Sequence, residues 1–250
     1  MKDKIKQIID TKQFHICMVA FIMFSILFVA GVISLKYNVE GEGNIPFYIS
    51  KISIISNVEG VDTDDNTNKW NLQVNQNNDI YLYIKKNDNY KDTELIKNIK
   101  LDNFNVEQSP NIGELKLLKP DSSVESLLFK NTEENETNTI EYTGDMDSSI
   151  KNLKISNQGG LVIFRYAVNN IGNYISNEDE EINHSELLNK LGINNDDLKF
   201  KVTFDIYITL NSGKTYKSNL NLELPINDVV NQGMQSTEYT DLEKIVYKRM

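Results

Sequence analysis

The clearest candidate set of metal ligands is the acidic run DTDDNTNKWN, which begins at residue 62. Asp62, Asp64 and Asn66 have the alternate spacing that places oxygen atoms on one side of a calcium-binding loop. An EF-hand loop would continue with glycine at its sixth position and glutamate at its twelfth, where this chain has Thr67 and Gln73. The run therefore predicts a solvated turn between strands or, as the alternative, a weak calcium site. No other cofactor is predicted.

The sequence Gly213-Lys214-Thr215 resembles the end of a phosphate-binding loop, but its surroundings do not fit one. That motif requires a glycine five residues before Gly213, where Ile208 stands, and a helix after it. The residues that follow alternate between apolar and polar types, as in a strand. The three residues are therefore predicted to form a hairpin turn.

Nucleophilic catalysis is poorly supported by the residue types. A serine or cysteine triad needs a histidine base, and the only histidine outside the N-terminal flank is His184. No G-x-S-x-G elbow is present, and His184 is predicted to be a solvated residue in a polar helix. A hydrolase acting through two carboxylates remains an alternative, because the acidic residues offer many pairs and the sequence selects none of them.

One charged residue interrupts the apolar run LVIFRYAV at position 165. Two arrangements are predicted for Arg165. Its stem packs on a partly exposed sheet face with the guanidinium in water or, as the alternative, its guanidinium is paired in a buried network. Tyr81 and Tyr83 alternate with apolar neighbours and so share one face of a strand. Sheet–sheet or cross-strand packing is the expected role of the two rings, and an aromatic patch on an outer face is the alternative.

Strands must position these groups, because period-two alternation dominates the C-terminal part of the chain. It is strict from Leu198 to Leu210, and after a turn it resumes through Leu224, which predicts a long antiparallel hairpin. Further strands are predicted at 47–56, 70–74, 80–85, 99–106, 113–118, 127–129, 139–142, 150–156, 161–168 and 244–247. One helix is predicted, with Asn183 as its N-cap and Gly192 after its end.

These elements predict an all-β protein with an antiparallel β-sandwich and one short helical insertion. The turn residues are closely spaced and no helical period alternates with the strands, so βαβ units are excluded. We assign the sandwich to residues 37–250 as one domain. A division into two smaller β domains is the alternative.

A different element precedes the sandwich, since residues 16–35 contain twenty amino acids without a charge. This length suffices to cross a bilayer core of roughly 30 Å as a helix. A cleavable signal would be shorter and would end in small residues, so the segment is predicted to remain as a transmembrane anchor. Residues 1–15 contain four lysines and two aspartates, which places this short tail in the cytoplasm and the sandwich on the outer side.

The anchor defines the first predicted partner, the lipid bilayer, which residues 16–35 contact. Within the anchor, Ala30 and Ser34 form a small-xxx-small pair that would admit a partner helix. Ordinary lipid-facing small residues are the more common alternative. A nucleic-acid partner is excluded, because the chain has a formal net charge of −10 and no basic stripe.

Four stretches carry a resemblance to a known group of proteins: KYNVEGEGNIPFYISKISIIS, WNLQVNQNNDIYLYI, NLKISNQGGLVIFRY and TDLEKIVYKRM. Through them the chain resembles uncharacterised single-pass membrane proteins of clostridia and related low-GC Gram-positive bacteria. The resemblance implies a cell-membrane location. It implies no activity and assigns no functional residue.

The sequence therefore predicts a membrane-anchored, extracytoplasmic binding or assembly module of a bacterial cell envelope. A protein partner in the envelope is part of this prediction. Two alternatives remain: a surface-tethered, carboxylate-dependent hydrolase of envelope glycans, and a subunit of a multi-protein membrane complex.

Overall fold

The architecture was analysed in a computed structural model of the chain. It describes residues 12–64, 69–121, 129–131, 138–145, 152–178, 180–242 and 245–250. The chain divides into two compact units, one ending at Gly43 and the other comprising Asn44–Met250. The following paragraphs treat each unit by itself.

The first unit contains one long helix, α1, at Lys12–Glu40. Its 29 residues extend about 43 Å at 1.5 Å per residue, so the helix continues beyond both ends of the apolar segment 16–35. An ion pair between Lys36 and Glu40 supports the last turn, and Gly41 ends the helix with a positive φ of 70°. The helix is apolar and long enough to cross a membrane.

The second unit contains twelve strands within the described residues. They are β1 Phe47–Asp62, β2 Asn71–Lys86, β3 Ile96–Gln108, β4 Glu114–Pro120, β5 Phe129–Asn131, β6 Ile140–Thr143, β7 Leu153–Lys154, β8 Gly159–Ile175, β9 Phe200–Leu210, β10 Thr215–Leu224, β11 Met234–Tyr239 and β12 Lys248–Arg249. The first sheet has the order β11-β1-β2-β8-β4-β5, and the second has the order β12-β10-β9-β3-β6-β7. All pairs are antiparallel except β6 with β7. The predicted all-β sandwich is confirmed.

Most predicted strands exist, with three differences. The strands predicted at 70–74 and 80–85 form the single strand β2, because buried Gln76 and Asn78 interrupt the apolar pattern without ending the strand. Of the strand predicted at 150–156, residues 150–151 lie outside the described residues and only β7 forms in the rest. The strand predicted at 127–129 lies outside them except for Phe129, which begins β5. The last strand is β12 rather than 244–247, since Tyr247 turns inward and its hydroxyl accepts a bond of 2.8 Å from the Ile49 N–H.

The core between the sheets is organised by aromatic rings. Phe204 on β9 lies 5.3 Å from Phe104 on β3 and 5.1 Å from Phe164 on β8, measured between ring centroids. Tyr166 on β8 contacts Phe200 on β9 at 5.8 Å. Because β8 belongs to the first sheet and β3 and β9 to the second, these contacts join the two layers.

Buried hydroxyl groups also join the sheets by bonding backbone groups that strand pairing leaves open. The pairing of β4 with β8 stops at Arg165, so the N–H and C=O of Ile163 lie beyond it. The hydroxyl of Tyr142, on β6, donates to this C=O and accepts from this N–H. Ser56 on β1 similarly donates to Asn78 and accepts from the Ile226 N–H, which fixes the chain after β10.

The predicted helical insertion is present but short. It comprises a 3₁₀ turn at His184–Glu186 and α2 at Leu187–Lys190, followed by α3 at Asn195–Leu198. Asn183 accepts from the Ser185 N–H at the start, which confirms the predicted N-cap. A further single turn, α4, lies at Val229–Gln232.

We predict that Phe204→Ala lowers the free energy of unfolding of the β domain by about 3–5 kcal/mol, because it removes a fully buried ring at the junction of both sheets. Urea unfolding of the full-length protein in detergent, followed by far-UV circular dichroism, measures the change. Trp70→Ala is the control, since the Trp70 ring is 47% exposed and we expect a smaller loss. Equal losses for both variants would contradict this account of the core.

Candidate functional site

A bulge in β3 shapes the outer face of the second sheet. Asp102 pairs with Asp205, but the next aligned pair is Asn105 with Thr203, so β3 contains one extra residue here. The extra residue is Asn103, whose φ is 54°. Phe104 can then turn towards the core while both Asp102 and Asn103 lie on the outer face.

Asp205 is the centre of a hydrogen-bonded cluster on this face. Its carboxylate accepts from the side-chain amides of Asn103 (2.7 Å) and Asn219 (3.0 Å), and it lies 2.8 Å from the Lys217 ammonium. These neighbours cover Asp205 so fully that it is only 6% exposed. Burial alone would raise the pKa of Asp205, but the bonds from Lys217 and the two amides outweigh it and lower the pKa.

Tyr207 lies beside this cluster between two lysines. Lys100 on β3 and Lys217 on β10 are its register partners, and each ammonium is 5.4 Å from the ring centroid. Lys100 also bonds Asp102 at 2.6 Å, which raises the pKa of the lysine and lowers that of the aspartate. The half-buried ring is therefore held in a fixed position by charged neighbours.

A cleft of about 600 Å³ adjoins the Lys100–Tyr207 row at the end of the second sheet. Four of its lining residues belong to β3 and β6, namely Lys97, Asn98, Glu141 and Thr143. The other four lie in connecting segments, namely Gly144, Asp145, Asn157 and Asn211. Glu141 is the register partner of Lys100, so the cleft and the tyrosine row form one continuous polar surface, which we call the polar face.

Backbone hydrogen bonds tie the walls of the cleft to the start of β3. The Lys97 C=O accepts from the Gly144 N–H at 2.8 Å, and the Ile96 N–H donates to the Asn157 C=O at 2.9 Å. The Asn211 N–H donates to the Leu95 C=O at 3.0 Å. A Cβ at Gly144 would lie 2.2 Å from the Ile96 C=O, so this close approach needs glycine. The cleft is therefore preformed by the backbone.

Asn98 has an incomplete set of hydrogen bonds inside this cleft. Its amide nitrogen donates to the Glu141 carboxylate. Its carbonyl oxygen, Oδ1, is buried and accepts from no group in the described part of the chain. A buried acceptor without a donor costs about 1–3 kcal/mol, so this atom favours a ligand that brings an O–H or N–H group.

The acidic run proposed as a calcium site is only partly described. Asp62 ends β1, and its carboxylate accepts from the N–H groups of Asp64 and Asn71, which closes the turn. Asn66 lies outside the described residues. Among the described residues, no three His, Cys, Asp or Glu side chains are grouped to hold a metal ion. The weak calcium site stays a prediction.

The other sequence candidates fall at separate places. Ala30 and Ser34 both lie within α1, and their role in helix contact stays a prediction. Gly213 has φ 86° in the β9–β10 turn, as predicted, and Lys214 bonds the buried Glu94 at 2.8 Å, which lowers the pKa of that carboxyl. His184 is exposed, and its Nδ1 accepts from the Gly60 N–H at 2.9 Å.

Arg165 adopts the paired arrangement rather than the solvated one. On the outer face of the first sheet its guanidinium binds both oxygens of Asp79, and it lies 4.3 Å from the centre of the Phe129 ring. Tyr81 and Tyr83 lie on the same outer face, and the Lys51 ammonium is 4.2 Å from the Tyr83 ring centroid. This face is thus an ordered aromatic and ionic layer.

Comparison of the chain with protein-family models, curated protein sequences and solved structures found no match. The functional interpretation therefore depends on the geometry of the polar face. Sequence reasoning missed that face, although the outward residues of β9 were correctly placed by their alternation. The available signal was the dense set of Asn, Lys and Asp on the outward positions of β9 and β10.

We predict that Asp205→Asn destabilises the β domain by about 1–3 kcal/mol near neutral pH, because three donors lose a charged acceptor. The folded pKa of Asp205 is lower than its ordinary value of 3.8, so the unfolded chain binds the proton more readily. The stabilisation is therefore present above 3.8 and is lost as the pH falls through the folded pKa.

Urea unfolding at a series of pH values between 2 and 7 measures this difference. Glu223→Gln is the matched control, because Glu223 pairs with Lys201 on the same face but its side chain is 70% exposed. We expect it to change stability by less than about 1 kcal/mol at any pH. A constant difference between wild type and Asp205→Asn across the series would contradict the assigned charge state.

We further predict a coupling energy of about 1–3 kcal/mol between Asp79 and Arg165, since their side chains are only 13% and 20% exposed. A double-mutant cycle with Asp79→Ala and Arg165→Ala gives this value from chemical unfolding. The exposed pair of Asp196 and Lys199 is the control, and its coupling is expected to be clearly smaller because solvent screens it. Equal couplings for the two pairs would show that the first pair is merely a surface contact.

Proposed function

We propose that the protein is a membrane-anchored binding module whose domain Asn44–Met250 works on the outer side of a bacterial cell membrane. The observation that carries this proposal is the preformed polar face, with its cleft, in a chain that also has an apolar helix of membrane-spanning length. An ordered set of donors and acceptors around a cleft is what a binding surface requires. The helix would retain that surface at the membrane.

The orientation is supported by the charges that flank the helix. Lysines predominate over aspartates in residues 1–15, whereas Glu40 and Glu42 follow the other end. Basic residues are retained on the cytoplasmic side of membranes, so the tail is inside and the β domain outside. The resemblance to single-pass proteins of Gram-positive bacteria is in keeping with this placement. An envelope protein that contacts the Ala30 and Ser34 side of α1 is part of the proposal.

Binding is better supported than glycoside hydrolysis by the carboxylates that the fold brings together. Asp102 and Asp205 are register partners across β3 and β9, and the pKa values of both are lowered, each by a hydrogen-bonded lysine among other donors. A glycosidase requires one carboxyl group with a raised pKa as its general acid. This pair consists instead of two carboxylates stabilised in their charged form.

We predict that a cysteine at position 88 reacts with a membrane-impermeant maleimide on intact cells. The variant is Asp88→Cys, in the exposed turn after β2, made in a Cys17→Ser background so that it is the sole cysteine. Lys4→Cys in the same background is the matched control and should react only after the membrane is permeabilised. Labelling is measured by gel shift in the membrane fraction.

Two results would contradict the proposal. One is the reverse labelling pattern, in which position 4 reacts on intact cells and position 88 does not. The other is recovery of the β domain in the medium without α1, which would show that the helix is removed as a signal sequence.

A further inference from the structure

The cleft of the polar face has the chemistry of a saccharide site. Its lining residues include the amide-bearing Asn98, Asn157 and Asn211 and the carboxylate-bearing Glu141 and Asp145. Such planar groups accept from and donate to hydroxyls, and each sugar hydroxyl is itself both a donor and an acceptor. We infer that the cleft binds a short, uncharged oligosaccharide segment of an envelope glycan. This inference rests on the proposed function, since it names the ligand of the same module.

The buried oxygen of Asn98 is the most specific support for this ligand. Its amide nitrogen is committed to Glu141, which leaves Oδ1 as the acceptor without a donor. This oxygen is closed to solvent, so a ligand reaches it only when the Asn98 side chain rotates towards the cleft. A saccharide hydroxyl, or the N–H of an acetamido sugar, would complete this hydrogen bond. An apolar ligand would leave it unmet, and the cost of a buried acceptor without a donor would remain.

Size and charge agree with the same class of ligand. A volume of about 600 Å³ lies within the roughly 300–1,000 Å³ of small-ligand sites, and a short saccharide segment fits that space. The carboxylates of Glu141 and Asp145 outnumber the single ammonium of Lys97 in the lining, which opposes phosphate-rich or other polyanionic ligands. The half-buried ring of Tyr207 lies in the next row of the sheet, where it would extend the contact beyond the cleft.

The test uses the full-length protein in lipid nanodiscs, because sugar-based detergents would compete for the cleft. Isothermal titration calorimetry with tetra-N-acetylchitotetraose and with cellotetraose measures binding of two uncharged probes. We expect at least one of them to bind with a Kd in the millimolar range or tighter. Asn98→Ala should weaken that binding about tenfold, since it removes the carbonyl acceptor.

Matched variants separate loss of the site from loss of the fold. Asn157→Ala should also weaken binding, and its backbone bond to Ile96 is retained because that bond uses the main-chain oxygen. Asn221→Ala removes an exposed amide from the same sheet face, opposite Thr203 on β9 and outside the cleft, and should leave binding unchanged. Circular dichroism of each variant checks that the sandwich is intact.

Three outcomes would overturn the inference. They are absence of binding by both saccharides, binding that neither Asn98→Ala nor Asn157→Ala weakens, and binding of a tetralysine peptide in the cleft in preference to the saccharides. The labelling experiment at position 88 reports separately on the proposed function. If the domain is external but does not bind saccharides, only the ligand assignment is wrong. If it binds saccharides but lies inside the cell, the proposed location is wrong.

Discussion

The packing of Phe204 against Phe104 and Phe164 is the contact on which the arrangement of the β domain depends. It joins the two sheets at their centre and fixes which residues of β9 face inward. Because side chains alternate along a strand, this choice places Asp205 and Tyr207 on the outer face. Phe104 reaches the contact only through the bulge at Asn103, so the same distortion that completes the core also supplies an amide to Asp205.

The polar face is consequently rigid rather than merely hydrophilic. An outward aspartate that is only 6% exposed has lost most of its water, and that loss is offset by the two amides and the lysine that bond it. Asp205 holds Lys217 beside the Tyr207 ring, and Asp102 holds Lys100 beside the same ring. Side chains that are fixed in this way lose little conformational entropy when a ligand arrives, which favours recognition by a polar surface.

The sequence predicted the elements that follow from a local residue pattern. It did not predict the contacts that depend on which strands pair and in which register. Strict alternation from Leu198 to Leu210 was sufficient for β9, and the cap at Asn183 was sufficient for the helical insertion. The pairing of Arg165 with Asp79 depends on the register of β8 against β2, which no local pattern contains. The cleft requires segments around residues 97, 143, 157 and 211 to meet at one edge. The strand order of the second sheet and the connection from β7 to β8 bring them together.

Attachment to a membrane would lower the affinity that a single cleft needs. A polar site that exchanges water for ligand hydroxyls gains little net free energy per hydrogen bond, so millimolar binding is the reasonable expectation for one cleft. A module held at the membrane by α1 would meet an envelope polymer at a high effective concentration, and one polymer could engage many copies. Weak single contacts would then sum to stable attachment while each contact stays reversible. A membrane anchor and weak binding at each polar face thus suit the same proposed role.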